Sequence, residues 1–349
     1  MKVGWYVHHH GAGHRTRAMV VGQELQARGA DVTLLGSSLE GDAARPAPVT
    51  SVRLAMDAPL ASAVDESTVD VTVHGLMHWA PLWHSGFRER MTTIARWVQV
   101  EEPDVVVVDV SCEVAVMVRL LGVPVVVVAQ PGARTDPAHS AAYDAATAVL
   151  APWPAWATDD IWHTARDPGS GHRADPRVVA VGGIARDRVA PVQDVAPTGE
   201  RKRPRGLVLA GSDGFDDPHL PDLITGSVPD LDWTVVGGGA WVPDVRDHLG
   251  SSDVVVTHAG QNAIADVAGF GLPAVVLPQS RPFDEQRHMG TVLASSGIAQ
   301  VVQSADVDAA HWGDLVQRAR SHGGAGWSTW GCDGAASRAA SLVEVVAGA

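Results

Sequence analysis

The sequence predicts an α/β protein built as two Rossmann-like, doubly wound parallel-sheet domains that face one cleft. Three observations predict it. Strand and helix signals alternate through both halves of the chain. The Val runs at 104–109 (DVVVVD) and 123–129 (VPVVVVA) are apolar throughout, the pattern of strands covered on both faces. At 349 residues the chain also exceeds what one core usually organises, so two domains of about 150–190 residues are expected.

The elements follow in order. Val3–His9 reads as the first strand, and Arg15–Arg28 as a helix from the apolar spacing of Ala18, Val21 and Leu25. Strands are then expected at Val32–Leu35 and, more weakly, Val49–Leu54. Residues 69–86 are irregular and rich in His and Trp, and Phe87–Glu101 reads as a helix. The two Val strands flank a helix near Glu113–Leu121, and Ala148–Ala151 and Val178–Val181 complete this half. Arg188–Arg205, with Pro191, Pro197, Gly199 and Pro204, is the expected boundary. Beyond it, strands are predicted near Gly206–Ala210, Trp233–Val236, Val254–Thr257, Ala274–Leu277 and Ala299–Val302. A Gly/Ser-rich link, 322–334, precedes an amphipathic helix, Ala335–Val346. The expected division is 1–190, 191–330, and a last segment, 331–349, returning toward the first domain.

Composition limits the function classes. Charged residues make up 19 % and hydrophobic ones 46 %, as in a globular protein. A net charge of −14 argues against a broad nucleic-acid surface, so a phosphate ligand must be held locally by amides and a few cations. Cys112 and Cys332 are too few for a disulfide framework and lack metal-ligand spacing, which favours a reducing cytoplasm. No apolar run approaches the roughly 20 residues that span a bilayer. Twelve Trp against four Phe and two Tyr leave peripheral membrane contact open.

The segment 253–286, DVVVTHAGQNAIADVAGFGLPAVVLPQSRPFDEQ, is the most informative. A strand stops at His258, and Ala259, Gly260 and Gln261 turn into a helix running from about Asn262 to Phe270. The free N–H groups and positive dipole end of that helix suit an anion. Gly271 ends the helix and Pro273 opens the next strand. This stretch resembles the donor half-site of UDP-dependent GT-B glycosyltransferases, the families 28 and 1 that include the peptidoglycan lipid II synthase. The family pattern falls on His258, Ala259-Gly260, Asn262, Asp266, Gly271-Leu272-Pro273, Pro278 and Glu285-Gln286. One position departs from it: Asp266 stands where the family usually has Glu, one methylene longer. By that resemblance Asp266 would reach a ribose, His258 the β-phosphate, and Glu285 and Gln286 the hydroxyls of the donor sugar. Gly211, Ser212 and Gly214, after the first strand of the second half, resemble the Gly-rich loop under the diphosphate. The stretch around Trp241 would pass beside the base.

The other motif is HHHGAGHRTRA, His8 to Ala18. Gly11 and Gly13 permit a tight turn, with His14 and Arg15 on the first helical turn. It resembles the Gly-His acceptor-side loop of the same families, which makes His14 the base and Asp109, ending DVVVVD, its orienter. His8, His9 and His10 alternate in direction on a strand, so they do not converge on one ion, and no metal is expected. The loop lacks the third Gly of a dinucleotide fingerprint, which argues against a dehydrogenase. His78, Trp79 and Trp83 are expected on the acceptor side.

The resemblance implies a glycosyltransferase that moves a hexosyl group, with N-acetylglucosamine the first candidate, from a UDP-sugar to a hydroxyl acceptor. Inversion is expected, with no cofactor beyond the UDP-sugar co-substrate, and the acceptor is a small molecule, a glycan or a lipid-linked sugar. The same cleft would also serve a UDP-sugar 2-epimerase or a non-catalytic nucleotide-sugar-binding protein.

Overall fold

A computed structural model of the chain describes residues 1–9, 12–39, 49–57, 70–164, 175–186, 203–240, 242, 244–303, 306–308 and 310–348. The expected boundary at 188–205 lies largely outside these residues. The strands of the first half are β1 (Lys2–Val7), β2 (Asp31–Gly36), β3 (Thr50–Arg53), β4 (Val105–Asp109), β5 (Val125–Val128), β6 (Gly132–Arg134), β7 (Ala148–Ala151), β8 (Trp162–Thr164) and β9 (Val178–Ala180). Those of the second half are β10 (Arg205–Leu209), β11 (Asp232–Val236), β12 (Val254–His258), β13 (Ala274–Leu277) and β14 (Gln300–Val301). The helices are α1 (Ala12–Ala27), α2 (Ser85–Glu101), α3 (Cys112–Leu120), α4 (Pro137–Ala145), α5 (Thr158–Ile161) and α6 (Leu220–Ser227). They continue with α7 (Arg246–Ser251), α8 (Gln261–Phe270), α9 (Glu285–Ser295), α10 (Trp312–His322) and α11 (Ala335–Ala347).

Two parallel sheets result, in the order β3-β2-β1-β4-β5-β7-β9 and β11-β10-β12-β13-β14. The expected α/β architecture is therefore present in both halves. The Val strands β4 and β5 are buried at every position, because helices cover both faces of the sheet. Strand order reverses between β1 and β4 in the first sheet and between β10 and β12 in the second. Open parallel sheets bind ligands at such reversals, outside the carboxyl ends of the strands. Register then decides which residues meet there. Val7 pairs with Asp109 in the first sheet, and Leu209 with Thr257 in the second, so the loops after these strands emerge side by side.

The C-terminal helix α11 returns to the first domain. Its Ala335, Ala339, Ala340, Val343 and Val346, spaced to share one face, pack with Val3, Trp5, Leu25 and Val105 in a single buried cluster. At its rim Arg28 donates to Glu344 at 2.9 Å and to Ser337 Oγ at 2.6 Å. Before that helix, Trp327 and Trp330 are buried in a cluster that spans both sheets, and Trp327 Nε1 donates to the Leu272 carbonyl at 2.8 Å. The sequence did not suggest the small β6/β8 pair. Three residues per strand are too few for a period to register.

Candidate active site

A cavity of about 500 Å³ opens between the two sheets at their reversal points. Its first-domain wall includes His8, Gly13, His14, Val110, Gln130 and Arg134, and its second-domain wall includes Gly211, Ser212, Gly214 and 258–263.

His14 and Asp109 meet on the first wall. Asp109 ends β4 fully buried, and its Oδ1 lies 2.9 Å from His14 Nδ1. A carboxylate only accepts, so Nδ1 carries the hydrogen and the Nε2 lone pair is left as the basic site. Arg17, one turn along α1 from His14, donates Nε to Asp109 Oδ2 at 2.9 Å and Nη2 to Oδ1 at 2.7 Å. Burial works to raise the Asp109 pKa, but the Arg17 charge and then His14 outweigh it and hold it well below the usual carboxylate range. Asp109 is thus an anion fixed between two cationic or proton-donating neighbours. The sequence did not single out Arg17, although its i, i+3 spacing from His14 places both on one helix face.

On the second wall, β12 delivers His258 to the edge of the cleft. Its Nδ1 accepts from the Gly260 amide at 2.9 Å, so the ring proton sits on Nε2 and the neutral ring can donate to an anion. Burial first, and then the Arg281 charge, push its pKa down to about 4. The Ala259 amide is also taken, donating to Gln286 Oε1 at 3.1 Å. The turn amides expected to hold an anion at Ala259 and Gly260 are therefore engaged within the protein. The role passes to the first turn of α8, from Gln261 to Ala263, which has no side-chain cap. Gly211 and Gly214, at φ 72° and 81°, give the facing loop the left-handed backbone that glycine favours. Gly237 packs so closely on Gly211 that an added Cβ would meet its carbonyl oxygen at 2.4 Å.

Several expected contacts are occupied by partners from the chain itself. Asp266 lines the cavity, but its carboxylate accepts from the Arg186 amide at 2.9 Å and from Arg186 Nη1 at 2.8 Å. Burial raises its pKa, with Arg186 opposing. A ribose hydroxyl would have to share this carboxylate with Arg186. Glu285, likewise raised chiefly by burial, pairs with Arg134 Nη2 at 3.1 Å across the cleft. Gln286 is buried, and its Oε1 joins the amides of Ala259 and Gln279. Phe283 and Asp284, at φ 61° and 57°, hold the preceding loop in a bent conformation that sets Phe283 against the Arg134 guanidinium. Arg134, Arg186 and Phe283 carried no motif, and only their positions across the cleft mark them.

The acceptor-side residues are more dispersed. His78, Trp79, Trp83 and Arg15 are not among the residues lining the cavity. Trp79 Nε1 donates to the Asp57 carbonyl at 2.6 Å, and Trp83 is 87 % exposed. Gly11 and Trp241 lie outside the described residues. β1 stops at Val7, so the expected strand alternation does not extend to His8 and His9, and His10 lies outside the described residues. His8 lines the cavity, and His9 Nδ1 lies 3.5 Å from Asp57.

His78, Cys112 and His139 bring ligand atoms within 4.8 Å of one another. The two imidazoles share Asp136, whose oxygens lie 2.9 Å from His78 Nε2 and 2.6 Å from His139 Nδ1. Arg134 Nη1 stands 3.4 Å from the other nitrogen of His139. Both His139 nitrogens are thus engaged, one beside a guanidinium that would repel a metal cation. Burial chiefly pushes the His139 pKa down to about 4.

Residues 236–320 match the glycosyltransferase family 28 C-terminal domain. No curated protein sequence matches the chain. Among solved structures, the glycosyltransferase of kitacinnamycin superposes with a TM-score of 0.68 at 18 % identity, covering 99 % of this chain and 98 % of that one. MurG of Acinetobacter baumannii gives 0.61 at 14 %, covering 99 % and 100 %. The spinosyn rhamnosyltransferase SpnG, solved with thymidine diphosphate, gives 0.59 at 16 %, covering 100 % and 98 %. No described helix is long and apolar enough to cross a membrane. Residues 236–320, on the second sheet, thus match a glycosyltransferase family 28 domain, and along its full length the chain has the two-domain GT-B fold of these glycosyltransferases.

Proposed function

We propose that the protein moves a hexosyl group from a UDP-sugar to a hydroxyl acceptor with inversion, using His14 as general base and no metal. The observation that carries this reading is the His14–Asp109 pair, set across one cavity from the uncapped N-terminus of α8. A sugar or aglycone hydroxyl is a weak nucleophile at neutral pH. Transfer of its proton to His14 Nε2 as the oxygen attacks the anomeric carbon assists the step, and Asp109 stabilises the imidazolium that forms. The bond from the anomeric carbon to the diphosphate oxygen breaks at the opposite face, and negative charge grows on the leaving group. The α8 N-terminus, the Nε2–H of His258 and the 211–214 loop supply donors there without reorganisation. A base and a leaving-group site on opposite walls favour transfer over epimerisation, which needs no acceptor base, and over binding alone.

The fold neighbour solved with thymidine diphosphate makes that nucleotide the natural rival to UDP. A thermal-shift panel of UDP, TDP, UDP-N-acetylglucosamine and other sugar nucleotides separates them. A specific ligand at a hundred times its Kd stabilises the fold by about 2.7 kcal/mol. The proposal predicts a shift with UDP and UDP-sugars; a response to TDP alone overturns the choice of base. Silence across the panel overturns the transferase reading.

A further inference from the structure

Arg17 does more than neutralise Asp109. It is 1 % exposed, and beyond its two bonds to Asp109 its Nη1 donates across the domain interface to Gln261 Oε1 at 2.5 Å. Gln261 opens α8, the helix whose N-terminus faces the cavity. A guanidinium has only donors, so the amide oxygen of Gln261 must face Arg17 and its NH2 group must point elsewhere. That nitrogen is buried without a hydrogen-bond partner among the described residues, while Gln261 itself lines the cavity. Leaving a buried donor unmatched is costly, and an oxygen of a ligand in the cleft would match it.

We propose that Arg17 and Gln261 form a positioning link which ties the His14–Asp109 pair to occupancy of the opposite wall. It rests on the transferase reading above. A ligand oxygen accepts from Gln261 Nε2, which fixes the amide with Oε1 toward Arg17. Arg17 then holds both oxygens of Asp109, and Asp109 holds the Nδ1–H of His14. Every member of this line is a donor–acceptor pair with one permissible direction, so each bond formed at the ligand end restrains the next. The base is held in register when the sugar nucleotide is bound and is looser when it is not. Asn262 closes on the same seam, because Gly13 leaves room for it: a Cβ at Gly13 would stand 2.1 Å from its Nδ2.

The link is tested with Gln261→Met, which removes the acceptor for Arg17 but leaves the pairing of Asp109 untouched. Arg17→Lys is the second variant, keeping a cation while losing the fork. Calorimetry with UDP and with TDP first measures nucleotide binding, and imidazole 15N spectra then follow His14 with and without the bound nucleotide. In the natural protein the nucleotide is expected to shift the His14 Nδ1–H signal and slow its exchange. In Gln261→Met the nucleotide still binds, within about tenfold, but the His14 signal no longer responds; kcat falls about tenfold, with a rise in donor KM no larger than the loss in nucleotide binding. Arg17→Lys gives the same loss of response. A His14 signal in Gln261→Met that answers to nucleotide as in the natural protein overturns the link while leaving the transferase reading intact. If neither nucleotide binds the natural protein, the transferase reading falls and the link falls with it.

Discussion

His14 has a free basic nitrogen because the buried Asp109 dictates its tautomer and Arg17 keeps Asp109 ionised. A general base, the role proposed for His14, contributes about 10²–10⁴-fold. His14→Ala is accordingly expected to lower turnover at least about a hundredfold while UDP affinity changes by less than about twofold, a split read by combining calorimetry with a nucleotide-release assay. Asp109→Asn keeps the shape but leaves Arg17 buried beside a neutral amide. Breaking a buried ion pair in this way costs about 3–5 kcal/mol, which a urea unfolding curve reads directly. Unchanged stability would mean that Arg17 is satisfied by Gln261 alone. Asp109 and His258 were legible in the sequence because each ends an apolar strand, and His14 because it follows the glycines after the first strand. Arg17, Arg134 and Arg186 were not: their carboxylate partners lie 92, 151 and 80 positions away, and no local pattern encodes such a pairing.

The elements set these residues in place, and their own stability is open to test. α11 rests on the first sheet through a small-residue face, and Val343 is fully buried in it. Val343→Ala is expected to cost about 2 kcal/mol in urea unfolding, since the cavity left between helix and sheet cannot close fully. An unaltered midpoint would place α11 outside the cooperative core. The β12–α8 turn carries the pH dependence. The His258 pKa is pushed down from 6.5 to about 4, so between those values the unfolded chain binds a proton that the folded ring refuses. Stability is therefore lost as pH falls from about 6.5 toward about 4, and His258→Gln should flatten that loss in thermal melts. Because the ring is already neutral, nucleotide affinity is expected to stay level from about pH 8 to about pH 6; a steep rise on acidification would mean that His258 binds as a cation. The Val-rich strands and the helices around them were readable because burial on both faces writes itself into composition. α9 and the bent loop before it were not, since the turn begins with a left-handed backbone at Phe283, a residue type that does not signal it.

At the scale of the whole molecule, the cleft is held by bonds between its walls: Arg17 to Gln261, Arg134 to Glu285, and Arg186 from the end of the first half to both Asp266 and Thr16. Two parallel sheets present their reversal points to each other, one carrying the His14–Asp109 pair and the other the uncapped N-terminus of α8. The proposed transfer needs both walls, which is why the paired motifs in the sequence said more than either alone. Arg186 marks the limit of what the donor motif could foretell, because it occupies the carboxylate that the resemblance assigned to a ribose. The most direct measurement is a calorimetric titration of UDP into the natural protein and into His14→Ala. The account predicts one site per chain with the same affinity in both. No binding of UDP to either protein, or binding lost with His14, would contradict it.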